Sequence, residues 1–300
     1  MPNQNIPIEN APAQKPIFTQ QKRNSCSSCF SLLSCLIVIL LLIGLGAGIL
    51  IFFPGNITLL ILGIDNAPHK SFIGRSDTII MANFDPIKPY AGILSVPRDL
   101  WVNIPGIGEN RINTAHFFAE ANLAGSGPQA TIDTIEANTG IKIKYYVRIR
   151  FEGLIEIVDA MGGVDINLSE PMAGYQPGQY HLNGTKALAF ARNRSGSDDF
   201  FRMKQGQLLI KSMIKQLMLP KNLIRLPRIS GAILNNLETN LPIWQMPRII
   251  ITILLAGFND IDNRVIDREM VTPYTTSQGA NILLPRWENI IPVMNNMFGQ

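Results

Sequence analysis

Asp65, Arg75, Asp77, Arg98 and Asp99 alternate acid with base along one stretch of the sequence. A second group, Arg192, Arg194, Asp198, Asp199, Arg202, Gln205 and Gln207, follows much later. Carboxylate oxygens are what Mg2+ prefers as ligands, whereas guanidinium forks hold phosphate oxygens in pairs. Together the two kinds of side chain suit an anionic ligand held partly through a hard cation. A single arginine is usually a solvated side chain or half of an ordinary ion pair. Paired cations beside a helix start, in a chain of low charge, point instead to an anion site.

The elements that must position these groups can be read from the same stretch. LLILGID, TIIMANF and YAGILSV are apolar runs of strand length, rich in Ile, Leu and Val and separated by Gly, Pro, Asp and Lys. They read as three core strands with at least one heavily buried face. Charge collects at their ends, and in open α/β sheets ligands sit in crevices where strands end. Arg192 and Arg194 are two apart, so an extended segment projects both to one side. Asp198 and Asp199 suit the first turn of a helix carrying Arg202, Gln205 and Gln207.

Between the two groups, LWVNIPGIGENRINTAH reads as a strand, a Pro-Gly turn and a helix start. Residues 128–138 read as a helix opened by Pro128 and stopped by Gly140. KYYVRIRF alternates as a strand, FEGLIEIVDAMGG has helical spacing with a Gly-Gly stop, and VDINL returns as a strand. This alternation predicts a layered α/β domain. From Lys211 the chain is helical and apolar; the run after Arg248 is too short to cross a membrane and is expected as a buried helix or strand.

Three hundred residues, 46% hydrophobic, can bury a full core. A net charge of +4 without a dense Lys/Arg run argues against nucleic acid. Residues 1–29 are rich in Pro, Asn, Gln and Ser and are expected to be disordered and cytoplasmic. Residues 30–53 are uncharged and long enough for one transmembrane helix. Lys15, Lys22 and Arg23 precede it, which keeps the N-terminus inside and sends the rest outside as a single-pass membrane protein. A cleaved signal peptide is disfavoured, because the run is long and Phe52, Phe53 and Pro54 make a poor cleavage site.

Several other residue types read as structural. Cys26 and Cys29 form a lone CxxC without a second pair, which argues against zinc, and Cys35 shows no special role. Gly44 and Gly48 make a GxxxG that common glycine usage explains equally well. His69, His116 and His181 are too scattered for a His-metal site, and Trp101, Trp244 and Trp287 read as packing residues. Ser76 and Ser95 lack an activating His or Lys pattern.

GRSDTIIMANFDP, GILSVPRDLWVNIPG, RINTAHFFAE, YYVRIRFEGLIEIVDAMGGVDINL, HLNGTKALAFARNR and DDFFRMKQGQ occur in this order. Together they resemble the LytR-CpsA-Psr family of cell-envelope glycopolymer phosphotransferases, over residues 58–216. The resemblance implies a three-layer α/β/α catalytic domain with a central mixed sheet, after one N-terminal transmembrane helix. Residues 217–300 then form a helical closing segment of the same extracytoplasmic domain. It also implies a hydrophobic pocket for a polyprenyl chain, and transfer of a glycopolymer from a polyprenyl-pyrophosphate carrier to peptidoglycan or another cell-wall glycan.

Residue by residue, the resemblance puts Asp65 and Asp77 on the family's acidic positions for Mg2+ and pyrophosphate. Arg75, Arg98, Arg192, Arg194 and Arg202 fall on its pyrophosphate-binding arginines. Where the family commonly has Arg-Gln-Gln this chain has Gln205, Gly206 and Gln207, so either glutamine remains open as the pyrophosphate contact. The implied catalytic set is Asp65, Asp77, Arg98 and Asp99, with an acidic group such as Asp99 taking the acceptor hydroxyl proton. Two other readings use the same residues: a noncatalytic carrier-lipid or glycan-binding protein, and a pyrophosphate hydrolase with water as acceptor. A DNA-binding regulator conflicts with the spanning helix.

Overall fold

The computed structural model describes residues 27–51, 55–65, 71–193, 199–222 and 224–299, with side chains only in part within the first of these segments. Arg194, Asp198, His69 and Cys26 therefore lie outside the described residues. The chain divides into two units, residues 1–48 and 49–300. Among the described residues, the first holds most of helix α1, Ser27–Ile51. Among the described residues no helix is long and apolar enough to cross a membrane.

The second unit is built on a mixed six-stranded sheet. Its members are β1 (Ile57–Asp65), β2 (Arg75–Asp85), β3 (Tyr90–Val96), β6 (Tyr145–Arg150), β9 (Leu237–Thr239) and β10 (Asp262–Val265), in the order β10-β3-β2-β1-β6-β9. The three apolar runs form its middle: β2 pairs antiparallel with both β1 and β3, while β6 runs parallel to β1. Outside the sheet stand the hairpins β4 (Trp101–Ile104) with β5 (Gly108–Arg111), β7 (Val164–Leu168) with β8 (Gly178–Leu182), and β11 (Val271–Thr275) with β12 (Asn281–Pro285). The helices are α2 (Asn113–Asn122), α3 (Gly127–Thr139), α4 (Phe151–Met161), α5 (Gly184–Arg192), α6 (Asp199–Leu217), α7 (Leu226–Asn236), α8 (Met246–Ala256) and α9 (Trp287–Phe298).

Side-chain alternation explains the layering. Leu60, Leu62 and Ile64 of β1 join Ile79, Met81 and Leu94 on one face, packed with Ile132, Ile135, Ile290 and Met294 of α3 and α9. Ile57 and Leu59 join Ile80, Phe84 and Ile93 on the other, against Ile253 of α8. Both faces are thus covered, which is why the middle strands read as continuous apolar runs. A satellite core gathers α4, α5, α6, α7 and the β7-β8 hairpin beside β6.

The region after residue 216 is less purely helical than its sequence suggests, since β9 and β10 supply the two edges of the sheet. Three-residue and four-residue strands carry too few side chains to show a period. α8 also departs from the expected buried segment: Ile253 is buried, but Ile250, Leu254 and Leu255 are exposed.

Candidate functional site

Asp65 ends β1 and Arg75 begins β2, and the two face each other in the ladder. Between Gly63 and Ile64 the register slips, so that Gly63 meets Thr78 and Ile64 meets Ser76, leaving Asp77 as an extra residue. A bulge of this kind re-aims its side chain, here toward the strand ends. After β3, Pro97 cannot continue the ladder, and the chain turns, with the Leu100 amide donating to the Pro97 carbonyl at 3.1 Å. The Arg98 carbonyl accepts from the Asn113 amide at 3.2 Å, pinning the turn to the start of α2.

Arg98 is the hub. Its Nη1 donates to Asp77 Oδ1 at 3.1 Å, its Nε lies 3.4 Å from Asp99 Oδ2, and its Nη2 lies 3.9 Å from Asp199 Oδ1. Burial opposes its charge, but the Asp77, Asp99 and Asp199 carboxylates outweigh burial and raise its pKa further. Asp99 also lies 3.4 Å from Arg111 Nε. Burial is the main influence raising the Asp99 pKa; Arg98 and Arg111 pull it down, and neighbouring Asp199 pushes it up.

From the other side, Arg192 closes α5, contacts Asp65 Oδ1 through Nη2 and lies over the Phe151 ring at 4.8 Å. Arg192 is helical, not extended as its spacing from Arg194 suggested: the Asn183 side chain caps α5 and the helix runs through Arg192. In α6, Asp199, Arg202, Met203 and Gly206 follow an i, i+3, i+4, i+7 pattern and present one face to the site. Arg202 Nη2 pairs with Asp199 Oδ1 at 2.9 Å.

Two adjoining clefts result, sharing Asp65, Asp77 and Arg98. One, of about 300 Å³, adds Arg192, Asp199 and Arg202 over an apolar lining that includes Ile79, Val96, Phe151 and Met203. The other, of about 450 Å³, adds Arg75, Asp99, Arg111 and Asn113. Among the described residues, five guanidinium groups thus meet four carboxylates where β1, β2 and β3 have their site-facing ends. Such a surface binds an anion through the cations and offers Asp65 and Asp77 as hard oxygen ligands for a divalent ion.

The two glutamines sit elsewhere. Gln205 is completely buried with neither amide atom hydrogen-bonded, and Gln207 donates to the Arg264 carbonyl at 2.7 Å and lines a different cleft. The α6 position between them that reaches the site is Gly206. A helix turns about 100° per residue, so three consecutive positions cannot share a face. From sequence, Asp199 reads as a helix opener, and Arg111 and Phe151 are passed over as site residues. Arg111 was detectable in principle, because a hairpin across the PGIG turn sets it opposite Trp101, two residues from Asp99. Phe151 carried no signal, since an aromatic opening a helix is ordinary core.

The model of the LytR_cpsA_psr family matches residues 54–285. Among curated proteins, Regulatory protein MsrR of Staphylococcus aureus (strain COL) is 30% identical over 196 residues, covering 63% of this chain and 57% of the relative. Polyisoprenyl-teichoic acid--peptidoglycan teichoic acid transferase TagU of Oceanobacillus iheyensis is 31% identical over 191 residues, covering 62% and 59%. The chain therefore spans less than two thirds of the length of these relatives. Among solved structures, B. subtilis TagV superposes with a TM-score of 0.65 at 24% identity, over 81% of this chain and 97% of that one. TagT bound to LIIa-WTA gives 0.61 at 22% identity, over 82% and 91%. At these identities the two structures speak to the fold.

Proposed function

The chain belongs to the LytR_cpsA_psr family, and on that premise we propose a membrane-anchored phosphotransferase. It moves a glycopolymer from a polyprenyl-pyrophosphate carrier to a sugar hydroxyl of peptidoglycan or another cell-wall glycan. The observation that carries the reading is the gathering of Arg75, Arg98, Arg111, Arg192 and Arg202 around Asp65, Asp77 and Asp99, with an apolar lining alongside. The TagU relatives bear a transferase name for polyisoprenyl-teichoic acid and peptidoglycan. The proposed anchor is read from the sequence: residues 30–53 carry no charge, and Lys22 and Arg23 precede them, which favours an N-terminus inside and a domain outside.

Arg98, Arg192 and Arg202 hold the pyrophosphate oxygens and stabilise charge gathering on the departing polyprenyl phosphate. Arg75 and Arg111 hold the glycan side of the linkage from the second cleft. Asp99, with its raised pKa, accepts the proton of the attacking hydroxyl. Asp65 and Asp77 are the carboxylates that would hold Mg2+. Among the described residues no group of three or more His, Cys, Asp or Glu is arranged for a metal, and a pair fits an ion that draws its remaining ligands from phosphate and water. When bound, Mg2+ would neutralise phosphate charge and so ease departure of the leaving group.

The test is a transfer assay on the full chain in vesicles, with a polyprenyl-pyrophosphate glycan, a peptidoglycan oligosaccharide and Mg2+, read by mass spectrometry of the acceptor. Arg98→Ala should cut transfer by about 10²-fold or more while the unfolding midpoint holds. Glycan released to water in place of the acceptor would favour a hydrolase. Tight carrier binding with neither product would favour a binding protein.

A further inference from the structure

The end of the domain where β1 begins carries large apolar side chains that the described residues leave uncovered. Ile243 is 85% exposed and Leu254 61%, and Trp244, Met246 and Ile250 are exposed beside them. The β2-β3 turn presents Ile87 at the same end of the sheet, because Ile57 at the start of β1 pairs with Phe84. Lys88, Lys142 and Lys144 are exposed at this end too, and Lys144 Nζ donates to the Asn56 carbonyl at 3.4 Å.

What holds this patch in place also says what it faces. Arg248 of α8 is buried; its Nη2 donates to the Gly55 carbonyl and its Nη1 to Gln245 Oε1, both at 2.9 Å. The Gln245 amide in turn donates to the Tyr145 hydroxyl at 3.1 Å, fixing the turn that carries Ile243 and Trp244. Gly55 is only four residues beyond Ile51, the last residue of the apolar helix. At full extension that tether spans about 14 Å. The patch is thus fastened to the chain directly after the uncharged run of residues 30–53.

We propose that this end of the domain rests in the lipid headgroup layer, with Trp244, Ile243, Ile250 and Ile87 entering the interface and the lysines beside anionic phosphates. Trp is favoured at the headgroup level, and lysine stems cover apolar surface while their ammonium groups stay among phosphates. The proposal rests on the anchoring role given to residues 30–53 under the proposed function, and adds that the folded domain itself contacts lipid.

The test reconstitutes the full chain into vesicles of phosphatidylcholine and phosphatidylglycerol whose acyl chains are brominated, and follows tryptophan emission. Trp101→Phe with Trp287→Phe leaves Trp244 as the sole fluorophore, and Trp244→Phe leaves the other pair. If the double replacement does not fold, the difference between the unaltered chain and Trp244→Phe gives the same reading. Trp244 emission should fall about twofold or more relative to unbrominated vesicles, while that of Trp101 and Trp287 stays nearly constant. Vesicles that float with the chain while Trp244 is quenched no more than the other pair would overturn the docking surface and leave the anchor standing. That result accompanied by self-association would assign the patch to a second copy. Failure of the full chain to float with vesicles would overturn both readings.

Discussion

In the proposed reaction Arg98 would meet an incoming phosphate already oriented, because Asp77, Asp99 and Asp199 fix its guanidinium from three directions. The arrangement lowers the entropy lost on binding, since little side-chain freedom remains to be removed. Asp99, partly buried, sits beside both Arg111 and Asp199. Its raised pKa gives a testable pH dependence. The proton-accepting form exists only above that pKa, so kcat/KM should fall on the acid side at a pH higher than an ordinary carboxylate of about 4 would give. Asp99→Asn should lower the rate by about 10²-fold or more and remove this acid limb. A pH-rate profile that keeps the limb in Asp99→Asn would assign the base elsewhere.

Among the elements, the bulge in the β1-β2 ladder and the absent side chain at Gly63 act together. A Cβ on Gly63 would lie 2.9 Å from Phe151 Cε1 and 3.0 Å from Thr78 Cβ, the residue beside the bulge. Phe151 in turn supports Arg192, which contacts Asp65. Gly63→Ala should therefore force Phe151 outward, lowering stability by about 1–3 kcal/mol and raising KM for the carrier more than it changes kcat. Thermal unfolding and steady-state kinetics on the variant check both parts. α6 shows the same economy: one face lines the site, while Gln205 is buried beneath it and Gln207 ties the helix to Arg264 at the sheet edge.

At the scale of the molecule, one buried polar cluster joins the loop before Arg75 to α2, β6 and β9. His116, fully buried, faces the Gly74 carbonyl through Nδ1 at 3.0 Å, and Arg148 Nη1 approaches its Nε2 at 3.3 Å. Arg148, itself 2% exposed, donates to Glu120 and Glu238 at 2.7 Å each and lies 4.1 Å from the centre of the Phe72 ring. Burial is the main reason the His116 pKa is lowered to about 4. A neutral histidine in the fold then donates from Nδ1 to Gly74 and accepts from Arg148. Because the unfolded chain protonates near 6.5, its stabilisation is complete above that pH and is lost as pH falls through about 4. The loss is on the order of 3 kcal/mol. The unfolding midpoint of the detergent-solubilised chain should drop between pH 7 and 4 more steeply than that of His116→Asn. Parallel curves would show that His116 does not titrate with folding.

Sequence alone determined the middle of the sheet, because charge-free runs of β-branched residues ending in Asp and Arg leave few alternatives to buried strands with polar tips. Asp65, Arg75, Asp77, Arg98 and Asp99 were legible for that reason, and so were the helices stopped by Gly140 and Gly162, whose φ values of 74° and 78° suit glycine. The tertiary structure decided what depends on rotation and register. It turned Gly206 to the cleft and its two neighbours away, made Asp77 the bulge residue, and brought Arg111 to Asp99 across a hairpin. It also left one face of α8 uncovered among the described residues. A residue's type and position along the chain are local, whereas the direction of a side chain is fixed only when neighbouring elements pack against its own.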